Sequence, residues 1–346
     1  MDLVMEAVER GWVPDPLVRA GIRRLLARKL ADERRGGAGA IASRRDALLA
    51  ALEDAAVALH ADAANRQHYE LPPGFFEAVL GPQLKYSCGL WSEGVRTLAE
   101  SEEAMLALTA GRARLADGQR ILELGCGWGS LSLWMARRFP GSRILAVSNS
   151  ASQRRFIEAR AAAQGLANLR VVTADMNAFE PGEAFDRIVS VEMFEHMRNW
   201  PRLLERVGGW LAPEGRLFLH VFCHRETPYL FETGGRSDWM ARHFFTGGLM
   251  PSEDLVARCA RTLRVEEQWR VPGTHYARTC RAWLERQDAK RDELMPLFER
   301  TYGRGDAARW FERWRVFFLA CEELFAFRGG SEWYVTHARL ARGDGA

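Results

Sequence analysis

The spacing of apolar positions along this chain changes near residue 111. Before that point it has a helical period: "LVRAGIRRLLARKLADERR" sets Leu17, Ile22, Leu25, Leu26 and Leu30 near one face, with a strongly basic face opposite. Pro16 suits the first turn of that helix. The glycines of "GGAGA" at 36–40 break the pattern, and residues 43–65 resume it as an alanine-rich helix. The basic face predicts a solvated surface helix packed on the core, with a helix lying on a membrane surface as the alternative. From 111 onward short apolar runs alternate with helix-period stretches. "RILEL", "SRILAVS", "LRVVTAD" and "FDRIVSVEM" predict strands, "ASQRRFIEARAAAQG" and "PRLLERVGGWL" predict helices, and "APEGRLFLHVFCH" predicts a turn followed by a strand. Gly165 is placed to end the helix before it.

Such alternation predicts an α/β fold with a parallel, doubly wound sheet. Ligands of these sheets bind beyond the carboxyl ends of the strands. That edge should gather the glycines of "ELGCGWGS", Asn149, Asp175 and the cluster Glu192, Glu195, His196 in "VEMFEH". Three titratable groups behind an apolar strand are costly to bury and call for a functional reason.

Composition narrows the classes. With 346 residues, 47% hydrophobic and 27% charged, the chain suits one catalytic domain with helical additions. A net charge of +3 with mixed signs gives no nucleic-acid footprint. No apolar run approaches the ~20 residues needed to span a bilayer, and the acidic, amphipathic start is unlike a secretory signal. Six cysteines without a CxxC pair argue against a metal site or a disulfide framework. A cytoplasmic protein with reduced, mostly buried thiols is expected.

The glycine loop carries Gly125, Gly127 and Gly129, a G-x-G-x-G spacing that departs from the dinucleotide fingerprint, and no P-loop lysine follows it. Glu123, at the end of the strand, disfavours a phosphate and tolerates a cation. S-adenosylmethionine, with its sulfonium and ammonium, fits better than a pyrophosphate. The pattern resembles motif I of class I S-adenosylmethionine-dependent methyltransferases. Asp175, ending the third strand, strengthens that resemblance, which implies that it lies near the adenine. Where that family has an acidic residue after the second strand, this chain has Asn149 and Gln153, whose amides can still hydrogen-bond a diol.

"LKYSCGLW", "GCGWGS", "SNSASQ" and "EMFEH" resemble the cyclopropane-fatty-acid-synthase-like methyltransferases. "VEMFEHMRNW", "HVFCHRETPYLFE", "DWMARHFFTGGLMPSEDL", "HYARTCRAWLER" and "WFERWRVFFLACEELF" are similar to the coclaurine and related benzylisoquinoline-alkaloid N-methyltransferase branch. The resemblance implies a Rossmann-like class I methyltransferase core over residues 67–225, whose 84–91 segment closes over the cofactor. An N-terminal helical segment (1–66) and a helical, aromatic cap with the remaining core elements (226–346) complete it. It further implies that Tyr86 and Ser87 meet the methionine moiety beside Gly125 and Gly127, with Asn149, Gln153, Asp175 and Met176 around the adenosine.

The 192–196 cluster then has a chemical reading. A secondary amine is mostly protonated at neutral pH and attacks only with its lone pair free, so the site must accept a proton. If Glu192 starts the turn, Glu195 and His196 fall three and four residues on, sharing a helical face as an acid–base pair, with Glu192 as electrostatic anchor. The alternative is methylene transfer to an unsaturated lipid acyl chain. There the resemblance implies a bound bicarbonate base, held by counterparts of Cys88, Glu195, His220 and Tyr276, all present by type. A cofactor-binding scaffold without turnover, or carboxyl or hydroxyl methylation, are further alternatives.

The late aromatics supply an acceptor pocket on this reading. Phe222, His224, Trp239, Phe245, Tyr276, Trp314 and Phe318 are the candidates, suited to a flat aromatic amine through stacking and cation–π contact, although plain core packing would space them similarly. The expected partners are a small-molecule amine and, from the alkaloid enzymes, a second copy in a homodimer. No nucleic acid and no metal are expected, and membrane contact belongs to the lipid alternative alone.

Overall fold

The computed structural model describes residues 3–59, 71–231 and 239–343. Residues 60–66 of the expected N-terminal segment, 67–70 of the expected core, and 232–238 and 344–346 of the expected cap lie outside the described residues.

The strands are β1 (Arg120–Leu124), β2 (Arg143–Ser148), β3 (Leu169–Thr173), β4 (Phe185–Val191), β5 (Leu211–His224), β6 (Tyr229–Leu230), β7 (Leu249–Met250), β8 (Leu263–Val271) and β9 (Trp333–Arg342). Seven of them form one sheet in the order β3-β2-β1-β4-β5-β9-β8, while β6 and β7 pair separately. β1 to β5 are mutually parallel, and β9 runs antiparallel to both of its neighbours. The sheet is therefore mixed, where the alternation predicted a parallel one. In "VTHARLAR" of β9 the polar His337 and Arg339 are as buried as their apolar neighbours, so its sequence does not alternate.

Both faces of the sheet are covered because successive side chains of β1 point to opposite sides. Leu122 and Leu124 pack on one side with Leu203, Leu204 and Val207 of the helix Trp200–Trp210. Ile121 packs on the other with Leu106 of the helix Leu98–Ala113 and Leu131 of the helix Ser130–Arg138. The helix Leu98–Ala113 starts with a reciprocal capping box between Thr97 and Glu100. A second layer of helices, Gly273–Ala289, Arg291–Tyr302 and Ala307–Ala326, closes over the sheet edge around Phe75, Phe76, Trp283, Trp314 and Phe318.

The N-terminal segment differs from its expected form. It holds helices Leu3–Glu9, Asp15–Glu33 and Gly37–Glu53. The interruption is thus confined to residues 34–37, where Gly36 and Gly37 take left-handed φ values of 85° and 72°, and Gly39 lies within the following helix. The helix Asp15–Glu33 packs on the core through Val18, Ile22, Leu26 and Leu30. Most of its basic face (Arg23, Arg24, Arg28) stays exposed, and the start of that face is tied down by ion pairs. Arg19 pairs with Glu322 at 2.8 Å and Glu323 at 2.9 Å, and Arg23 with Glu323 at 2.7 Å. Leu17 and Leu25, expected on the buried stripe, are exposed instead. Two buried carboxylates on the helix Ala307–Ala326 fixed the rotation of this helix, and they are invisible to an apolar periodicity. No helix among the described residues is long and apolar enough to cross a membrane.

Candidate active site

The carboxyl ends of β1, β2 and β4 form the floor of a cleft. Leaving β1, the chain turns through Gly125 (φ 78°) and Gly127 (φ 52°), a left-handed conformation that glycine adopts without strain. A Cβ on Gly125 would lie 2.5 Å from Met193, whereas one on Gly127 would meet no atom of the described residues within 4 Å. The cleft has two joined parts, about 830 Å³ and 590 Å³, both partly open to solvent, and Gly125, Gly127 and Glu192 line both. The first part is lined by Asn149, Gln153, Asp175, Met176, His196 and Met197, the second by Lys85, Tyr86, Ser87, Glu123, Trp128 and Ser130. All eight residues expected around a cofactor therefore lie on one connected surface. Ala58 lines the first part too, tied there by paired hydrogen bonds of 3.0 and 2.9 Å between its backbone and the Asn177 amide.

The wall formed by Gly81–Ser87 hangs on a buried carboxylate. Glu102 accepts the backbone N–H groups of Gly81 and Gln83 at 2.9 Å each and of Lys85 at 3.2 Å. Burial pushes its carboxyl up to about 7 against those three bonds. Lys85 is buried and donates to Ser87 Oγ; burial lowers its pKa, opposed by Glu192, Cys88, Glu102 and Glu123. The ring of Tyr86 packs between Phe76 and Trp283, at 5.4 and 5.5 Å. Glu102→Ala would strand three N–H donors, each costing roughly 1–3 kcal/mol when buried. The expected result is a melting temperature lower by ~5 °C or more and a weaker grip on the cofactor, read by thermal denaturation and titration calorimetry. An unchanged melting temperature would show that Glu102 does not hold this wall.

Glu192 leaves β4 with a φ of 50°, and this left-handed step aims its side chain back across the sheet edge. Its Oε1 accepts from the Cys88 N–H and His220 Nε2, both at 3.1 Å, and its Oε2 from the Tyr276 hydroxyl at 2.5 Å. Burial raises its pKa, while Lys85, Tyr276, the Cys88 N–H and His196 pull it back.

Glu195 and His196 do not share a helical face with Glu192. Residues Phe194–His196 form a single 3₁₀ turn, which separates the three side chains. Glu195 turns behind the cleft, fully buried, and its Oε1 accepts the Phe222 N–H at 2.7 Å. Burial and the neighbouring Glu192 push its carboxyl well up. His196 lines the cleft with its ring 4.6 Å from that of Phe245, and burial lowers its pKa to about 4, leaving a neutral imidazole.

The aromatic candidates divide in two. Phe222 and Phe245 pack 5.7 Å apart, and Tyr276 stacks on Phe325 at 4.3 Å, all near His196 or Glu192. Trp239, Trp314 and Phe318 belong to the core instead. The Trp239 indole donates to Glu9 at 2.8 Å, Trp314 packs 4.7 Å from Phe75, and Phe318 5.7 Å from Trp283. His224 braces a turn, its Nδ1 accepting the Thr227 N–H at 2.9 Å and the Glu226 N–H at 3.2 Å. Sequence reasoning missed Lys85, Trp128 and Ala58, whereas Phe325 is one of the late aromatics whose spacing suits either a cap or a core. Of these, Lys85 and Trp128 lie inside quoted motifs and were legible there, whereas nothing in the local sequence marked Ala58.

Two features test whether S-adenosylmethionine fits. The Nε2 of Gln153, a residue 1% exposed at the cleft wall, is a buried amide N–H with no partner among the described residues, as a hydroxyl-bearing ligand would require. The open space over Gly127 leaves room for a ligand to lie against bare backbone. The residues fit a group with hydroxyls at the Gln153 end and positive charge at the end bounded by Glu123 and Glu192.

A family model described as mycolic acid cyclopropane synthetase matches residues 58–331. The chain is 34% identical over 342 residues to (S)-coclaurine N-methyltransferase of Thalictrum flavum subsp. glaucum, covering 96% of this chain and 94% of that one. It is 30% identical over 277 residues to cyclopropane-fatty-acyl-phospholipid synthase of Escherichia coli, covering 79% and 67%. A crystal structure of coclaurine N-methyltransferase bound to N-methylheliamine and S-adenosylhomocysteine superposes with a TM-score of 0.94 at 34% identity, over 98% of this chain and 99% of that chain.

Proposed function

The chain belongs to the mycolic acid cyclopropane synthetase family and is an S-adenosylmethionine-dependent N-methyltransferase of the coclaurine and pavine type; from that premise we propose that its acceptor is a small aromatic amine of tetrahydroisoquinoline type. One observation carries this choice. Of the four residues that the lipid alternative would give to bicarbonate, three (Cys88, His220 and Tyr276) converge on the Glu192 carboxylate, and the fourth, Glu195, turns to Phe222. The cradle of the small anion is filled by the chain's own fixed anion. A tethered carboxylate beside the cleft suits an acceptor that arrives as an ammonium and becomes a quaternised or protonated amine.

When bound, S-adenosylmethionine supplies an electrophilic methyl carbon. Glu192 lies where the two parts of the cleft join, so its charge draws the acceptor nitrogen to that junction and stabilises the positive charge the nitrogen acquires. The neutral His196 imidazole faces the same space and is placed to take the proton that blocks the lone pair. Its burial opposes that role, and the nearby Glu192 charge supports it by stabilising the imidazolium. Glu195 sits one layer behind as a buried acid, fixing the backbone of Phe222 against which the acceptor ring lies. Phe222 and Phe245 offer flat apolar faces for that ring. Nothing in this scheme requires bicarbonate.

The test is turnover with methyl-labelled S-adenosylmethionine on a panel of amines that varies the aromatic part and the degree of substitution at nitrogen. Label in cyclic secondary amines carrying an aromatic ring, with at least ~10-fold lower kcat/KM for aliphatic amines of equal basicity, is expected, a loss of order 1.4 kcal/mol in recognition. Equal turnover of both kinds would remove the aromatic specificity.

A further inference from the structure

Behind Glu192 a row of side chains runs away from the cleft. The His220 Nδ1 lies 2.9 Å from the His337 Nε2, and the His337 Nδ1 lies 2.8 Å from an Arg112 guanidinium nitrogen. His220 and His337 face each other in register across β5 and β9, and Arg112 reaches them from the helix Leu98–Ala113, its guanidinium 4.9 Å above the Trp269 ring of β8. Both histidines are fully buried and Arg112 is half-buried.

Hydrogen-bond chemistry fixes the direction of this row. A guanidinium only donates, so the His337 Nδ1 must be the bare, accepting nitrogen. A neutral imidazole has its one proton on the other nitrogen, so His337 Nε2–H donates to His220 Nδ1. By the same step His220 Nε2–H donates to the carboxylate of Glu192. The two ends of the row agree, since the Glu192 carboxylate likewise only accepts and calls for the same His220 tautomer from its side.

We infer that Arg112 is a positioning residue for methyl transfer, setting the tautomers of His337 and His220 so that an N–H is always aimed at the acceptor-facing carboxylate of Glu192. This rests on the proposed role of Glu192. Burial, with Lys85, Arg112 and the paired ring nearby, holds both histidines well below their ordinary pKa, so each carries a single proton. The row is no proton wire. Arg112 neither releases nor accepts a proton near neutral pH, so its effect is static: it keeps Glu192 ionised. The other groups that face Glu192 are Lys85 from the Gly81–Ser87 wall and the Cys88 N–H just after it, Tyr276 from the helix Gly273–Ala289, and His196 and Glu195 from the Phe194–His196 turn. None of them orients His220.

The experiment compares Arg112→Met, Arg112→Lys and the parent protein. Long-range proton–nitrogen NMR of labelled histidine is expected to show His220 and His337 as pure Nε2–H tautomers in the parent and as mixtures in Arg112→Met, with the Lys variant, which keeps a donor, close to the parent. The acid limb of kcat/KM against pH should move up by roughly half to one unit in Arg112→Met. At pH 7 kcat/KM falls by no more than the ~3- to 10-fold that such a shift allows and recovers at higher pH, while cofactor affinity stays constant. A purely structural loss would not recover with pH, and Arg112→Lys guards against a Met variant that fails to fold. Unchanged tautomers or an unmoved acid limb would overturn the inference. If no amine is turned over at all, the NMR arm still decides the tautomer claim, and only the proposed acceptor falls.

Discussion

Glu192→Gln should lower kcat/KM for the amine by ~10²–10³-fold, the range seen when a charge aimed at a developing cation or a proton acceptor is removed. The substitution is unusually clean here. With the amide oxygen placed where Oε1 now accepts from the Cys88 N–H and His220, the amide nitrogen replaces Oε2 and faces the Tyr276 oxygen. The two bonds at Oε1 survive, the one to Tyr276 reverses and its hydroxyl proton loses its acceptor, and the main loss is the charge. The fold should hold, because relieving a buried carboxylate of its ionisation costs little stability, and the melting temperature should stay within ~2 °C. Cofactor affinity should change by no more than ~5-fold, about 1 kcal/mol. Activity within ~3-fold of the parent, measured on folded protein, would remove Glu192 from the chemistry.

Gly127→Val is expected to abolish cofactor binding while leaving a folded protein. The glycine takes φ 52°, where a β-branched residue pays strain of roughly 1–2 kcal/mol, so a modest fall in melting temperature is expected. Its Cβ would meet no atom of the described residues within 4 Å and would stand in the space that both parts of the cleft share. Titration calorimetry should show affinity for S-adenosylhomocysteine reduced beyond ~10²-fold, more than 2.7 kcal/mol, and addition of the cofactor should no longer raise the melting temperature. Gly125→Val is the control: there a Cβ lies 2.5 Å from Met193, and the variant should fail to fold. Normal cofactor affinity in Gly127→Val would mean that the ligand lies elsewhere.

The sheet and the floor of the cleft were legible because their determinants are local. Apolar runs of four or five residues ending in glycine or a small polar residue specify buried parallel strands and their ligand-facing ends, and all four early strands fall where the runs do. The antiparallel β9 was not legible. Its polar residues are neutralised by partners far along the chain, as where Arg339 pairs with Glu266 at 2.9 Å and Glu267 at 2.7 Å. The same limit explains the 192–196 cluster. Spacing alone put Glu195 beside His196 on a helix. One left-handed residue at Glu192 and a 3₁₀ turn then reversed which of the two carboxylates opens onto the cleft. Backbone steps of that kind are set by neighbours such as Met193 against Gly125, not by propensity. Trp239, Trp314 and Phe318 show the complementary failure: an aromatic that lines a pocket and one that fills a core carry the same pattern until the partners are known.

The most direct measurement offers both acceptors at once. Methyl-labelled S-adenosylmethionine, a tetrahydroisoquinoline amine and vesicles of unsaturated phospholipid are incubated with the protein in buffer stripped of bicarbonate, and the label is followed by mass spectrometry. The expected result is label on the amine nitrogen alone, at a rate that added bicarbonate leaves unchanged. Label appearing as cyclopropane or methyl branches in the acyl chains, and only once bicarbonate is restored, would refute the central claim that Glu192 has taken the place of that anion.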